Sequence, residues 1–278
     1  MSITREQISF YSSMFPGRSS AREIIQCAAD FHVGGMELMN FCEELKTPDL
    51  AAAKELGALA RSHGLALPCF SVGINIIADP KNAVEQLFGY ARICAELGIP
   101  YLHHAIALNF SDPNFTEEIQ AQRFQLGAEC ALKVCDYANS LGVRTLIEDQ
   151  GFVFNGVENC LRLHHLSQEK IGFVADVGNI MFYDEKPEDF ILAAGSQVCH
   201  AHIKDYHLLP GHQDGADGYR TWRGNTLQNA EIGTGSIDFE KVFSAFEKIG
   251  YQGMYALEFS GVKDMNEVER VIQFLLRH

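Results

Sequence analysis

The chain has 278 residues, of which 47% are hydrophobic and 21% are charged, and its formal net charge is −14. These proportions are typical of a globular protein with a large core, and the acidic excess opposes general binding to the phosphate backbone of a nucleic acid. Because no apolar run reaches the roughly 20 residues of a membrane-spanning helix, we expect a soluble, cytoplasmic protein that does not bind membranes.

Helical patterns recur along the chain, and most of them close at a glycine. Ser20 and Glu23 have the spacing of a capping box at the start of the first helix. Further helices are predicted over residues 50–62, 84–97, 117–141, 238–249 and 267–277.

Short apolar runs of strand type lie between these helices. They cover residues 8–14, 35–39, 66–72, 101–107, 144–149, 173–176, 198–204 and 255–259. Continuous apolar strands that alternate with helices indicate a parallel sheet buried on both faces. Eight such units predict a single-domain (β/α)8 TIM barrel over residues 1–278. An open doubly wound sheet is the alternative, but it normally carries a glycine-rich phosphate turn after the first strand, and residues 14–17 do not form one.

A polar side chain stands at the end of each of the last four predicted strands: Glu148, Asp176, His202 and Glu258. Each alone has an ordinary explanation, namely a solvated strand end, a turn or a hydrogen-bonded core histidine. Together they lie at one level of the predicted barrel, where three buried carboxylates are costly unless they are paired or bound to a metal. The pattern predicts one divalent cation site, for which Mn²⁺, Mg²⁺ or Co²⁺ is favoured and Zn²⁺ is compatible.

Other polar residues are candidates for binding a substrate near this predicted site. They are Glu37, His104, Asn179, Lys204, Arg220 and Arg223. The two arginines belong to an insertion over residues 206–231, which is either a lid over the site or a solvated surface excursion. The eight cysteines include no Cys-x-x-Cys pair, which favours reduced, buried thiols over a thiolate zinc site.

The motifs of the second half of the chain resemble those of the sugar phosphate isomerase/epimerase family, whose members are xylose-isomerase-like TIM barrels. They comprise Ile147-Glu148, Asp176-x-Gly178-Asn179, His202-x-Lys204-Asp205, residues 233–239 and Leu257-Glu258. The resemblance implies a divalent cation held by Glu148, Asp176, His202 and Glu258. In the ketose 3-epimerase branch, the glutamates that match Glu148 and Glu258 also exchange the substrate proton. This chain departs from that branch at Asn179, where the branch usually has a histidine.

The predicted function is a metal-dependent sugar isomerase or epimerase that acts on a ketose or a sugar phosphate through an enediolate, with Glu148 and Glu258 as catalytic residues. A metal-dependent dehydratase of a keto-inositol or dehydroshikimate type is the first alternative, because it begins with the same proton abstraction. A sugar-binding barrel without turnover is the second. The sequence leaves the oligomeric state open, and a homo-oligomer is compatible with it.

Overall fold

The structure is a computed structural model that describes residues 3–11, 20–107, 116–212, 217–258, 262 and 264–278. Eight parallel strands form a closed barrel in the order β1-β11-β7-β6-β5-β4-β3-β2. They are β1 (Ile8–Tyr11), β2 (Gly35–Met39), β3 (Cys69–Val72), β4 (Tyr101–His104), β5 (Arg144–Glu148), β6 (Gly172–Asp176), β7 (Val198–Ile203) and β11 (Tyr255–Leu257). The predicted TIM barrel is confirmed.

Six of the eight strands differ from their predicted bounds by a few residues, β2 agrees with its prediction, and β1 agrees over its described residues. The fourth, for example, ends at His104 rather than at residue 107. Predicted strand residues 12–14 and 259 lie outside the described part of the chain, as do residues 15–17 of the first turn.

Helices cover the outside of the barrel. They are α1 (Ala21–Asp30), α2 (Leu50–Ser62), α3 (Pro80–Leu97), α4 (Glu117–Ser140), α5 (Val157–Leu166), α6 (Pro187–Ala194), α7 (Phe239–Lys248) and α8 (Met265–Leu275). The sequence patterns did not predict α5 and α6. Helix α3 begins four residues earlier than predicted because Asp79 caps it and Pro80 occupies its first turn. Among the described helices, none is long and apolar enough to cross a membrane.

The insertion after β7 is a small antiparallel sheet of its own. Its strands are β8 (Asp205–Leu209), β9 (Tyr219–Arg220) and β10 (Thr226–Ala230), and β10 lies in the middle. Residues 213–216, which include Gly215 of the predicted loop, lie outside the described part of the chain.

The main core lies between the strands and the surrounding helices, where Phe10, Phe70 and Phe173 are fully buried. A smaller apolar cluster of Cys69, Leu146 and Val174 is separate from it. These three side chains precede Ser71, Glu148 and Asp176 by two positions on β3, β5 and β6, so alternation places them on the same strand faces. The barrel interior therefore changes from apolar to polar towards the carboxyl ends of its strands, where the chemistry of TIM barrels is found.

Candidate metal centre

The parallel register of the barrel brings Glu148, Asp176, His202 and Glu258 together. Asp176 lies beside His202 in the β6–β7 pair, and Ala256 lies beside His202 in the β11–β7 pair. One nitrogen or oxygen atom of each of the four side chains lies within 4.8 Å of the others. The four side chains are therefore close enough together to hold a single cation.

Nδ1 of His202 faces all three carboxylates. It lies 2.9 Å from Oε1 of Glu148, 3.3 Å from Oε2 of Glu258 and 4.0 Å from Oδ2 of Asp176. The His202 and Asp176 side chains are fully buried, whereas the side chain of Glu258 is 21% exposed. Glu258 is therefore the most exposed of the four side chains.

Asp176 is oriented by the backbone at one oxygen and faces the other proposed ligands with its second oxygen. Its Oδ1 accepts hydrogen bonds from the backbone N–H groups of Gly178 and Asn179, at 2.8 and 2.9 Å. Its Oδ2 is buried and lies 2.9 Å from Nζ of Lys204 and 4.0 Å from Nδ1 of His202. A carboxylate oxygen that is oriented by the backbone and buried beside cationic and imidazole groups suits a metal ligand.

The electrostatics of the centre fit a divalent ion. Burial raises the pKa of Asp176 well above its ordinary value, and Glu148 and Glu258 add to the rise against the opposing charge of Lys204. Burial also opposes the charge of Glu148, but its hydrogen bond with His202 and the charges of neighbouring groups hold its pKa below the ordinary value. Because several anions share one buried space, a cation between them offsets both their repulsion and their desolvation. Three carboxylates and an imidazole form a donor set suited to such an ion.

Lys204 lies inside this centre. Its Nζ is 2.8 Å from Oε1 of Glu258, 2.9 Å from Oδ2 of Asp176 and 3.2 Å from Oδ1 of Asn179. Although burial opposes its charge, the two carboxylates raise the pKa of Lys204 well above its ordinary value. Lys204 and Asn179, both expected to bind substrate, thus lie next to the ligands and contact each other.

Glu37, another expected substrate ligand, lies fully buried among the histidines of β7. Its carboxylate bonds Nε2 of His200 at 2.7 Å and Nε2 of His202 at 3.1 Å, and it accepts a hydrogen bond from the Ser71 hydroxyl. The structure therefore places Glu37 against a proposed ligand, on the opposite side of the His202 ring from the carboxylates.

The other three expected substrate ligands are more dispersed. His104 is fully buried at the end of β4, and its Nε2 has no hydrogen-bond partner among the described residues. Arg220 is exposed on β9 of the insertion. Arg223 lines a separate cavity of about 450 Å³ between the insertion and the start of α6, together with Asp184, Lys186 and Lys241.

Two residues near the centre were missed by sequence reasoning. Alternation along β5 directs Asp149 to the face opposite Glu148, where it is fully buried and its Oδ1 accepts the backbone N–H of Asp176 at 3.0 Å. The ring of Tyr11, at the end of β1, lies 4.7 Å from the ring of His202. Asp149 could have been found because it directly follows the proposed ligand Glu148 in the sequence. No sequence feature pointed to Tyr11.

Comparison with solved structures supports the fold. D-Psicose 3-epimerase from Clostridium cellulolyticum H10, determined with D-tagatose, matches with a TM-score of 0.73 and 16% identity over 98% of this chain and 97% of that one. The 3-keto-D-glucoside 4-epimerase YcjR from E. coli matches with a TM-score of 0.73 and 16% identity over 98% of each chain. The IolI protein with a bound zinc atom matches with a TM-score of 0.70 and 15% identity over 98% of this chain and 94% of that one.

The sequence itself matches the model of one protein family. A comparison with curated proteins finds no significant match. The family model described as the xylose isomerase-like TIM barrel matches residues 25–278, which is most of the chain. Together with the closed eight-stranded barrel, this match shows that the chain belongs to the xylose isomerase-like TIM barrel family.

Proposed function

We propose that this protein is a divalent-metal-dependent sugar isomerase or epimerase that acts on a ketose or a ketose phosphate. The observation that carries the proposal is the convergence of Glu148, Asp176, His202 and Glu258, whose ligand atoms lie within 4.8 Å of one another in a mostly buried space. The likeness to two sugar epimerases supports a carbohydrate substrate.

The four side chains would hold the ion, and three of them are fixed by the protein before it binds. Backbone N–H groups orient Asp176, Glu37 contacts the far nitrogen of His202, and Lys204 contacts Glu258. When bound, a divalent ion supplies Lewis acidity, which makes the C–H bond beside a substrate carbonyl easier to break. We favour Mn²⁺, Mg²⁺ or Co²⁺ because the donor set is rich in oxygen, and Zn²⁺ is compatible with it.

The two glutamates supply the acid–base chemistry in this proposal. Each carboxylate has two oxygens, so one can remain a ligand while the other takes up or gives a proton. Glu148 and Glu258 reach the centre from β5 and from the end of β11, with Asp176 and His202 on the strands between them. One glutamate removes the proton beside the carbonyl to form an enediolate, and the other returns a proton to the opposite face, which inverts the carbon. Return of the proton to the neighbouring carbon would interconvert a ketose and an aldose.

Lys204 keeps one of these glutamates in its charged form. Burial opposes the charge of Glu258, but the Lys204 ammonium at 2.8 Å holds the pKa of Glu258 below its ordinary value. Glu258 therefore starts as a carboxylate, ready to accept a proton. Lys204 is already engaged with two carboxylates, so we assign the recognition of a substrate phosphate to Arg220 or Arg223 rather than to Lys204.

Hydrogen exchange in deuterated water tests this function. The protein is loaded with Mn²⁺ and incubated in D₂O with D-fructose, D-psicose, D-tagatose and D-fructose 6-phosphate, and the sugars are examined by NMR after the metal has been chelated. We expect deuterium beside the carbonyl together with an epimer or an aldose. No exchange with any of these sugars would contradict the proposal, and an unsaturated product that absorbs ultraviolet light would identify a dehydratase instead.

A further inference from the structure

The interior of the barrel next to the metal centre contains a ring of polar side chains. It runs from Glu148 to His202, then to Glu37, Ser71 and His103, and returns towards Glu148. All five residues are at most 5% exposed, and they come from five different strands. Five buried polar groups on facing strands are costly to desolvate, so their arrangement calls for a role.

The contact between Glu37 and His202 fixes how the imidazole is protonated. Nε2 of His202 lies 3.1 and 3.3 Å from the two Glu37 oxygens, which accept but do not donate when the carboxylate is charged. Nε2 must therefore carry the hydrogen. In the neutral imidazole this leaves a lone pair on Nδ1, the nitrogen that faces Glu148, Asp176 and Glu258.

The other contacts of Glu37 hold its carboxylate in place. Nε2 of His200 lies 2.7 Å from Oε2, and the Ser71 hydroxyl donates to Oε1. With its hydrogen committed to Glu37, the oxygen of Ser71 accepts from Nδ1 of His103 at 2.6 Å. Both oxygens of Glu37 are thus occupied and its side chain is fully buried, which favours a supporting role over the substrate contact predicted from the sequence.

We propose that Glu37 is a positioning residue that holds His202 with Nε2 protonated and Nδ1 directed at the cation, with Ser71 and His200 fixing Glu37 in turn. The inference rests on the proposed metal centre and adds the requirement that the ion bind through Nδ1. A carboxylate on the far nitrogen of a metal-binding histidine both orients the ring and strengthens it as a ligand.

Metal affinity without turnover tests this role. Mn²⁺ alone is titrated by calorimetry into the wild-type protein and into Glu37→Gln, in which an amide of the same shape replaces the charged acceptor of His202. We expect the affinity of Glu37→Gln to fall by about 10- to 100-fold. Glu267→Gln, the same exchange at a buried position on α8, is the matched control and should bind Mn²⁺ like the wild type. Affinity of Glu37→Gln within about twofold of the wild type would overturn the proposal.

A measurement on the wild-type protein keeps the proposal falsifiable if Glu37→Gln does not fold. In protein labelled with ¹⁵N-histidine and loaded with diamagnetic Zn²⁺, NMR distinguishes a metal-bound ring nitrogen from one that carries hydrogen. We expect His202, assigned with a His202→Asn variant, to show a metal-bound Nδ1 and a protonated Nε2.

The outcomes separate this inference from the proposed function. If Zn²⁺ binds through Nε2 of His202, the metal centre stands and the role of Glu37 is wrong. If the wild-type protein binds neither Mn²⁺ nor Zn²⁺, both proposals are wrong.

Discussion

The role of a buried acid in this protein follows from the hydrogen-bond and ion-pair partners of each of its oxygens. Asp176 has one oxygen bonded to two backbone N–H groups and the other beside Lys204 and Nδ1 of His202, whereas the oxygens of Glu37 contact Ser71, His200 and Nε2 of His202. The same acidic group therefore serves as a proposed metal ligand in one case and as a support for a ligand in the other. Sequence position alone did not separate these roles, because both acids belong to strands that are buried along their whole length.

The two glutamates are the first residues to test. We expect Glu148→Gln and Glu258→Gln each to reduce kcat by about 10²- to 10⁴-fold, since an amide cannot take up the substrate proton. The rates are measured at a metal concentration that saturates each variant, because both residues are also proposed ligands. Glu267→Gln serves as the control for the exchange itself. Near-normal kcat in either glutamate variant would remove that glutamate from the proton transfer.

His104 predicts a pH dependence of stability. Burial lowers the pKa of His104 to about 4, below the ordinary histidine value of 6.5. A depressed pKa means that the folded state resists protonation, so the stability is present above pH 6.5 and is lost as the pH falls towards 4. From linkage, this residue alone removes about 2 kcal/mol of unfolding free energy between pH 7 and pH 5.

Urea denaturation at the two pH values checks the effect of His104. We expect His104→Gln, which cannot take up this proton, to lose less stability between pH 7 and pH 5 than the wild type does. An equal loss in the two proteins would show that His104 does not contribute to the pH dependence.

At the scale of elements, the sequence predicted the strands and most helices but not all their ends. Apolar runs, glycine stops and strand-end acids identified the eight barrel strands and six helices. Helix α5 was not predicted because its N-cap is Gly156, which has a φ of 86° and no side chain to cap the helix. Helix α6 was not predicted because it has only eight residues. The inserted sheet was not predicted because β8 and β10 are buried only at their first two residues and lack a continuous apolar run, and β9 has only two residues.

The start of α1 shows why local spacing is insufficient. The sequence predicts a capping box of Ser20 and Glu23, but the Ser20 side chain makes no cap bond to its own helix. Instead, the Ser20 hydroxyl donates to Glu44 at 2.7 Å, and the backbone N–H of Ala21 donates to the same carboxylate at 3.0 Å. The capping acceptor therefore comes from a residue 24 positions after Ser20, which no local pattern reveals.

We expect Glu44→Ala to lower the unfolding free energy by about 1 kcal/mol, as for the loss of other helix caps. Glu23→Ala, the matched change at the residue of the predicted capping box, should cost less than about 0.5 kcal/mol. Urea denaturation of both variants decides between the two acids. A larger loss of unfolding free energy in Glu23→Ala than in Glu44→Ala would favour the capping box predicted from the sequence.

At the scale of the whole molecule, the barrel assembles a site from residues that are distant in sequence. Glu37 and His200 are 163 positions apart, and His202 and Glu148 are 54 apart, yet both pairs are in contact. The four ligands could be proposed from the sequence because a polar residue stands at the carboxyl end of each of four predicted barrel strands. The hydrogen bonds that join Glu37, Ser71 and His103 within the buried ring could not be predicted, because a single sequence does not reveal which inward-facing polar residues bond to one another.

The central claim is that four side chains from four strands bind one divalent ion. Crystals grown with Mn²⁺ and measured near the manganese absorption edge test it most directly. We expect a single anomalous peak within about 2.3 Å of carboxylate oxygens of Glu148, Asp176 and Glu258 and of Nδ1 of His202. A manganese ion bound elsewhere, or no anomalous density between these four side chains, would contradict it.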